Sequence, residues 1–430
     1  MTSGRFCAGC LLALVLSLAA VSAADAATLR LDSRFGQHGV ARVPFRLSQS
    51  AVDLLPVRAA RQRDGKLLVA AAAGFEHQNS QFLIARFTRR GKPDPTFGHG
   101  GWTHHGLRWN FTPQTVHVQR DGRILVLGAA GRGLGWYPTP GQVGLARLLP
   151  DGSLDRTFGR GGFVTWNPPW RADTVFMTAL PALFAPQANG KVLAASVVNA
   201  GAGRPLTHWV GWVAFGRFNG DGSVDRSFGR DGVAEQLEGP DSAFFVYAWA
   251  ALHDGHIAAV VRHNHGFDEP TLWLHRFTPD GAVDSAFGEN GALQLDTNGL
   301  ADVSQVLAYR DGSLVLIGHV AIDTVGNRRP ALRRILPGGQ LDSGFATGCR
   351  RSPLDFSGAV ATPGGGLLAT TGFGNGRLVS YDAHGCRADR PVRTGAALAG
   401  PPLLLGRHSV LVAGASFDHE LTLTRIRRGL

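Results

Sequence analysis

Lysine is almost missing from this chain: of 43 lysines and arginines in 430 residues, only Lys66, Lys92 and Lys191 are lysines. The formal charge of +11 is therefore carried by arginine. Such a balance favours anionic neighbours, among them acidic polysaccharide, lipopolysaccharide and nucleic acid. Dense basic runs are also missing, which excludes a basic tail. Arginines spread through the whole chain are expected to be mostly a solvated surface, and specific nucleic-acid binding is not expected.

Long apolar runs are equally scarce. The stretch from Leu11 to Val21, broken only by Ser17, is the longest. It is too short to span a bilayer comfortably, and nothing later approaches the roughly twenty apolar residues that a spanning helix needs. With Arg5 before it and Ala24-Asp25-Ala26 after it, the stretch reads as a secretory signal cut after Ala26. Cys10 precedes the apolar region, so a lipid anchor there is not expected. The mature chain would be residues 27–430, without a transmembrane segment and periplasmic or secreted. Its charge would be unchanged, because Arg5 and Asp25 leave together.

Cysteine is sparse too, at four. Cys7 and Cys10 leave with the signal, and Cys349 and Cys386 would remain in an oxidising compartment, where a leftover pair is expected to form a disulfide. Catalytic signatures are missing as well. There is no Gly-x-Ser-x-Gly elbow, no His-Glu-x-x-His and no phosphate loop. No cofactor is expected, and non-enzymatic function is favoured.

What the chain has in quantity is glycine, 58 residues, and proline, 23, punctuating short apolar runs in a composition that is 44% hydrophobic. That composition suits many strands and tight turns. One element, Asp-x-x-Phe-Gly, occurs at Asp32–Gly36, Asp94–Gly98, Asp155–Gly159, Asp225–Gly229 and Asp284–Gly288, with a sixth copy in which Ala346 follows Phe345. Its phenylalanines Phe35, Phe97, Phe158, Phe228, Phe287 and Phe345 are 62, 61, 70, 59 and 58 residues apart. A second element is a turn such as Asp64-Gly65, Asp121-Gly122, Asn189-Gly190, Asp254-Gly255 or Asp311-Gly312 before an apolar run. Such dipeptides tolerate the positive φ of tight hairpin turns. Gly364-Gly365-Gly366 and Arg407-His408 hold the same place further on. A third element is an alternating strand, from Phe82–Phe87 through Leu421–Ile426, whose period of two predicts one wetter and one drier face.

Each element occurs about seven times, and each unit supplies about four strands. The fold expected is all-β: a seven-bladed β-propeller of four-stranded antiparallel blades, in repeat units of about 32–93, 94–154, 155–224, 225–283, 284–341, 342–388 and a weak last copy, 389–430. Segments such as Pro150-Asp151-Gly152-Ser153-Leu154-Asp155-Arg156-Thr157-Phe158-Gly159 and Gly220-Asp221-Gly222-Ser223-Val224-Asp225-Arg226-Ser227-Phe228-Gly229 resemble the delta-60 repeat family of secreted bacterial proteins. The resemblance implies an exported propeller-like protein and carries no catalytic assignment.

Residues shared by every unit must serve what every unit needs. Phe is expected to pack between neighbours, Asp to accept hydrogen bonds from turn amides, and Gly to supply unusual dihedrals. Asn219 to Asp225 begins like a calcium loop but lacks the closing glutamate, so a plain turn is expected. His263, His265, Asp268 and Glu269 have metal-ligand chemistry but thin spacing, and no metal site is assigned there.

In an up-and-down meander the short Asp-Gly and Pro-Asp-Gly turns share one face, and the long variable loops share the other. The candidate binding residues are therefore Arg108, Trp109, Trp136, Tyr137, Trp166, Trp170, Arg171, Trp209 and Arg328. Trp and Arg are the side chains most enriched at binding hot spots. The expected function is an exported scaffold that holds a protein partner or a glycan on this face. A hydrolase or lyase with a site in the central funnel, or a purely structural surface protein, are the alternatives.

Overall fold

A computed structural model of the chain describes residues 29–43, 53–75, 78–106, 110–131, 142–167, 174–187, 189–202, 208–237, 242–265, 271–295, 299–322, 327–351, 353–371, 376–387, 391–394, 398–415 and 420–428. The expected signal segment and its cleavage site lie outside them. All regular structure among the described residues is β-strand, so no helix there is long and apolar enough to cross a membrane.

The strands form seven antiparallel blades. In blade one, Asp53–Arg61, Leu67–Phe75, Gln78–Phe87 and Trp102–Gly106 pair in chain order, and the same order recurs around the ring. The first strands of successive blades lie against one another, which places them innermost. The alternating strand, expected as the last of the four strands of its unit, is the third strand of its blade.

The sequence repeat and the blade are out of phase by one strand. The strand that follows each Asp-x-x-Phe-Gly element closes the blade before it. Trp102–Gly106 pairs with Gln78–Phe87 of blade one, and Phe163–Trp166 pairs with Gln142–Leu148 of blade two. Val40–Val43, the strand that follows the first such element, pairs with Leu421–Arg428 of the last blade, as does Leu29–Leu31 just before that element. N- and C-terminal strands thus share blade seven and close the ring.

Blade five departs from the four-stranded plan. Its described strands are Leu300–Ala308, Leu314–Ala321 and Arg328–Ile335, and after Phe345 the chain runs in turns and bends to Gly358. This is the stretch where Ala346 replaces the motif glycine, with a φ of 59°.

The core consists of seven apolar clusters, one at each blade interface. Period two explains how one strand serves two of them. Val69, Ala71, Leu83 and Ala85 of blade one face blade seven, whereas Leu68, Ala70, Phe82 and Ile84 face blade two. The expectation of one wetter and one drier face therefore fails for these strands. Each blade is sandwiched between two others, and both faces are dry.

Candidate functional site

The repeated motif is an inter-blade clamp built around an arginine. In blade two, the Arg147 Nε lies 2.8 Å from Asp155 Oδ2, its Nη1 donates to the Gly220 carbonyl of blade three at 3.1 Å, and its guanidinium sits 4.5 Å above the Phe158 ring. Phe158 in turn covers Gly222. A Cβ there would come within 2.5 Å of the ring, so only glycine leaves room at that turn. Arg86, Arg217 and Arg276 repeat the arrangement with Asp94, Asp225 and Asp284, and Arg425 closes the ring on Asp32. Lys66, Arg123 and Lys191 add a second cation, 2.9, 3.3 and 2.6 Å from the same aspartates.

These contacts fix the protonation of the clamp. Burial alone would raise the Asp225 carboxyl, but hydrogen bonds from Lys191, Ser227 and Arg217 outweigh it and hold the group far below the usual carboxylate range. Asp94 and Asp155 are lowered in the same sense, again against burial, by Lys66 and Thr96 and by Thr157 and Arg147 respectively. The motif aspartates accept turn amides as expected, for example from Thr157 N to Asp155 at 3.1 Å. The arginine partner was missed. Its signal was present, because Arg86, Arg147, Arg217, Arg276 and Arg334 each precede their phenylalanine by 11 residues. These arginines are structural and partly or wholly buried, which corrects their reading as solvated surface.

Much of the variable face lies outside the described residues, including Arg108, Trp109, Trp136, Tyr137, Trp170, Arg171, Asp268 and Glu269. Trp209 falls inside the strand His208–Phe218. Trp166 is half-buried, 5.8 Å from Phe218 in an edge-on contact and packed over Gly216. His263 is buried, with its ring 5.6 Å from that of His275 and 6.0 Å from that of Trp273. The Asn219–Asp225 oxygens belong to a turn: Asp221 Oδ1 accepts from Ser223 N and Oγ, and Asp225 belongs to the clamp.

Arg328 is the sequence candidate that the structure places within a polar cluster. Its Nη1 lies 2.6 Å from Asp302 Oδ2, while Asp302 Oδ1 is 2.8 Å from His319 Nδ1 and Asp355 Oδ1 is 2.8 Å from His319 Nε2. The first, second and third strands of blade five supply Asp302, His319 and Arg328, and the connection to blade six supplies Asp355. All four come from the variable-loop ends of their elements. A bulge brings Asp302 opposite His319, and it requires Gly318, where a Cβ would lie 2.0 Å from the Asp302 carbonyl oxygen. Burial works against a charged His319, but hydrogen bonds and the charges of the two aspartates prevail and raise its pKa above the ordinary histidine value. His319, Asp302 and Asp355 were also missed. His319 stands where blades one to three carry Ala72, Ala129 and Val197, so departure from the repeat was the available signal.

Segments 62–97, 119–158 and 310–345 match a family model described as "Domain of unknown function (DUF5122) beta-propeller". The chain carries β-propeller repeats. Solved structures similar to this propeller include a protein of unknown function from Bacteroides caccae, with 12% identity, a TM-score of 0.38, and coverage of 75% of this chain and 93% of that one. They also include the β-propeller domain of the Trilobed protease from Pyrococcus furiosus, with 9% identity, a TM-score of 0.43, and coverage of 87% and 94%. An α-L-arabinanase from Penicillium chrysogenum complexed with arabinobiose has 12% identity, a TM-score of 0.38, and coverage of 86% and 92%. No curated protein matches the chain. Within the propeller, the repeated residues are committed to holding blades together, and the blade-five cluster is a polar site among the described residues that the repeat does not account for.

Proposed function

We propose that this propeller is an exported, non-enzymatic binding scaffold of the delta-60 repeat type, holding a protein partner or a glycan on its variable-loop face. The observation that carries this reading is the Arg328–Asp302–His319–Asp355 cluster. It is a set of charged groups at the rim of one blade, on a scaffold whose clamps make no use of them. Asp355 is exposed and Arg328 is about half exposed, so both can exchange their internal contacts for contacts with a ligand. The tryptophans and arginines that the sequence assigns to the same face would extend that surface.

The Asp302–His319 hydrogen bond also favours the second reading, a hydrolase or lyase, because it orients an imidazole as a general base requires. A glycan array paired with a periplasmic pull-down, using the native protein, Arg328→Gln, Trp170→Ala and His319→Asn, separates the two. A scaffold is expected to retain a partner that Arg328→Gln and Trp170→Ala each weaken, with no product released. Turnover of a captured ligand that His319→Asn alone abolishes would establish the enzyme instead. Absence of any retained partner in both screens would refute the scaffold.

A further inference from the structure

His319 meets a carboxylate through each of its ring nitrogens: Nδ1 lies 2.8 Å from Asp302 Oδ1, and Nε2 lies 2.8 Å from Asp355 Oδ1. Ionised carboxylates can only accept hydrogen bonds, whereas a neutral imidazole has one donor nitrogen and one acceptor. Only the imidazolium, with a proton on each nitrogen, makes both bonds at once. We propose that His319 fastens the segment from Cys349 to Ser357 to blade five as a pH-operated strap, closed while the ring carries two protons and released at Asp355 when it loses one.

The chain decides which contact gives way. Asp302 and His319 stand opposite each other on paired strands, and Asp302 is also held by Arg328, so these two cannot part. Asp355 is exposed and belongs to a segment without regular structure. The remaining ties of that segment run to blade six. They are the Cys349–Cys386 disulfide, a hydrogen bond from Leu354 N to Tyr381 Oη at 3.2 Å, and the edge-on contact of Phe356 with the Tyr381 ring. Among the described residues of the strap, Asp355 alone makes a polar contact with blade five. Loss of one ring proton sets the Nε2 lone pair against the Asp355 carboxylate, and the part free to move is the strap.

The charged groups around the ring set the direction with pH. Asp302 and Arg328 approach it from blade five and Asp355 from the strap, which also carries the exposed Arg350 and Arg351. Arg377, exposed, begins the third strand of blade six. Arg329 and Arg333 alternate with Arg328 and Leu332 and so point towards blade four, and Arg334 lies at the far end of that strand, over Tyr309. Burial disfavours a charged His319, yet the two aspartates prevail and raise its pKa. The strap is therefore closed below that raised value and released as pH climbs through it. A partner that bonds to Asp355 competes with His319 at low pH and has no such rival at high pH. That consequence rests on the scaffold reading above, whereas the strap does not.

Nuclear magnetic resonance of 15N-labelled protein, titrated from about pH 5 to about pH 9, tests the strap without any ligand. The His319 ring is expected to hold a proton on both nitrogens at low pH and on Nδ1 alone at high pH, with its midpoint above the ordinary histidine value of 6.5. The backbone amide of Asp355 should shift with the same midpoint. Asp355→Ala should lower the midpoint of the ring. At low pH it should also speed amide exchange at Leu354 about tenfold over the native protein, a difference that vanishes above the native midpoint. The measurements on the native protein stand alone should the variant fail to fold. The proposal is overturned if His319 titrates at or below the ordinary value, if one ring nitrogen stays unprotonated at low pH, or if the Asp355 amide does not follow the ring. Equal exchange at Leu354 in the two proteins at low pH would overturn it as well.

Discussion

Six arginines that look like surface charge in the sequence are the hubs of the blade interfaces. Each guanidinium lies over its phenylalanine, and the five in blades one to four and seven also grip an aspartate and reach a turn carbonyl of the next blade, so one side chain joins aromatic packing to charge and hydrogen bonding. A consequence for pH follows. The folded-state pKa values of Asp94, Asp155 and Asp225 are depressed, so their contribution to stability is present in full above the unfolded carboxylate value near 4 and is lost progressively as pH falls from there through the lower folded-state values. Thermal melts recorded downward from pH 6 are expected to show a steep acid limb, with each aspartate contributing up to about 1.4 kcal/mol per pH unit. Asp225→Asn should be less stable at pH 6, where it leaves Arg217 and Lys191 without their partner, and its acid limb should be shallower. An acid limb as steep as the native one would contradict the ion-pair account.

Among the elements, those that repeat were legible in the sequence and those that depart from the repeat were not. The spacing of Phe35 to Phe345 and the Asp-Gly turns expose the blades because tight hairpins demand those residues at fixed positions. Strand phase was hidden, since a run such as Val40–Val43 carries no mark of which neighbour it pairs with. That no outer strand of blade five occurs among its described residues is also a matter of pairing. The Cys349–Cys386 disulfide forms as expected and spans this place, with Cα atoms 5.2 Å apart. It ties the irregular segment after Phe345 to the turn of blade six, beside the hydrogen bond from Ala346 N to the His384 carbonyl. Where strand pairing no longer holds a blade's outer edge, a covalent tie does. Cys386→Ser is expected to cost about 3–4 kcal/mol from loop closure. Native protein alkylated without reductant should gain no mass at Cys349 or Cys386; labelling at both would contradict the bond.

At the scale of the molecule, ring closure separates stability from recognition. Six of the seven interfaces reuse the arginine–phenylalanine contact, so what recurs belongs to the scaffold and what does not is available for ligands. The candidate residues were only partly legible because a tryptophan can serve either purpose. Trp166 fills space beside Phe218, while Arg328 joins a cluster whose other members are far apart in sequence. Recording the melting temperature and the bound ligand in the same samples tests this division most directly, for Phe158→Ala on one side and Arg328→Gln on the other. Phe158→Ala should cost roughly 3–5 kcal/mol of stability and, below its melting temperature, bind on the variable face as the native protein does, whereas Arg328→Gln should melt with the native protein and bind more weakly. Loss of binding in folded Phe158→Ala, together with unchanged binding in Arg328→Gln, would contradict the account.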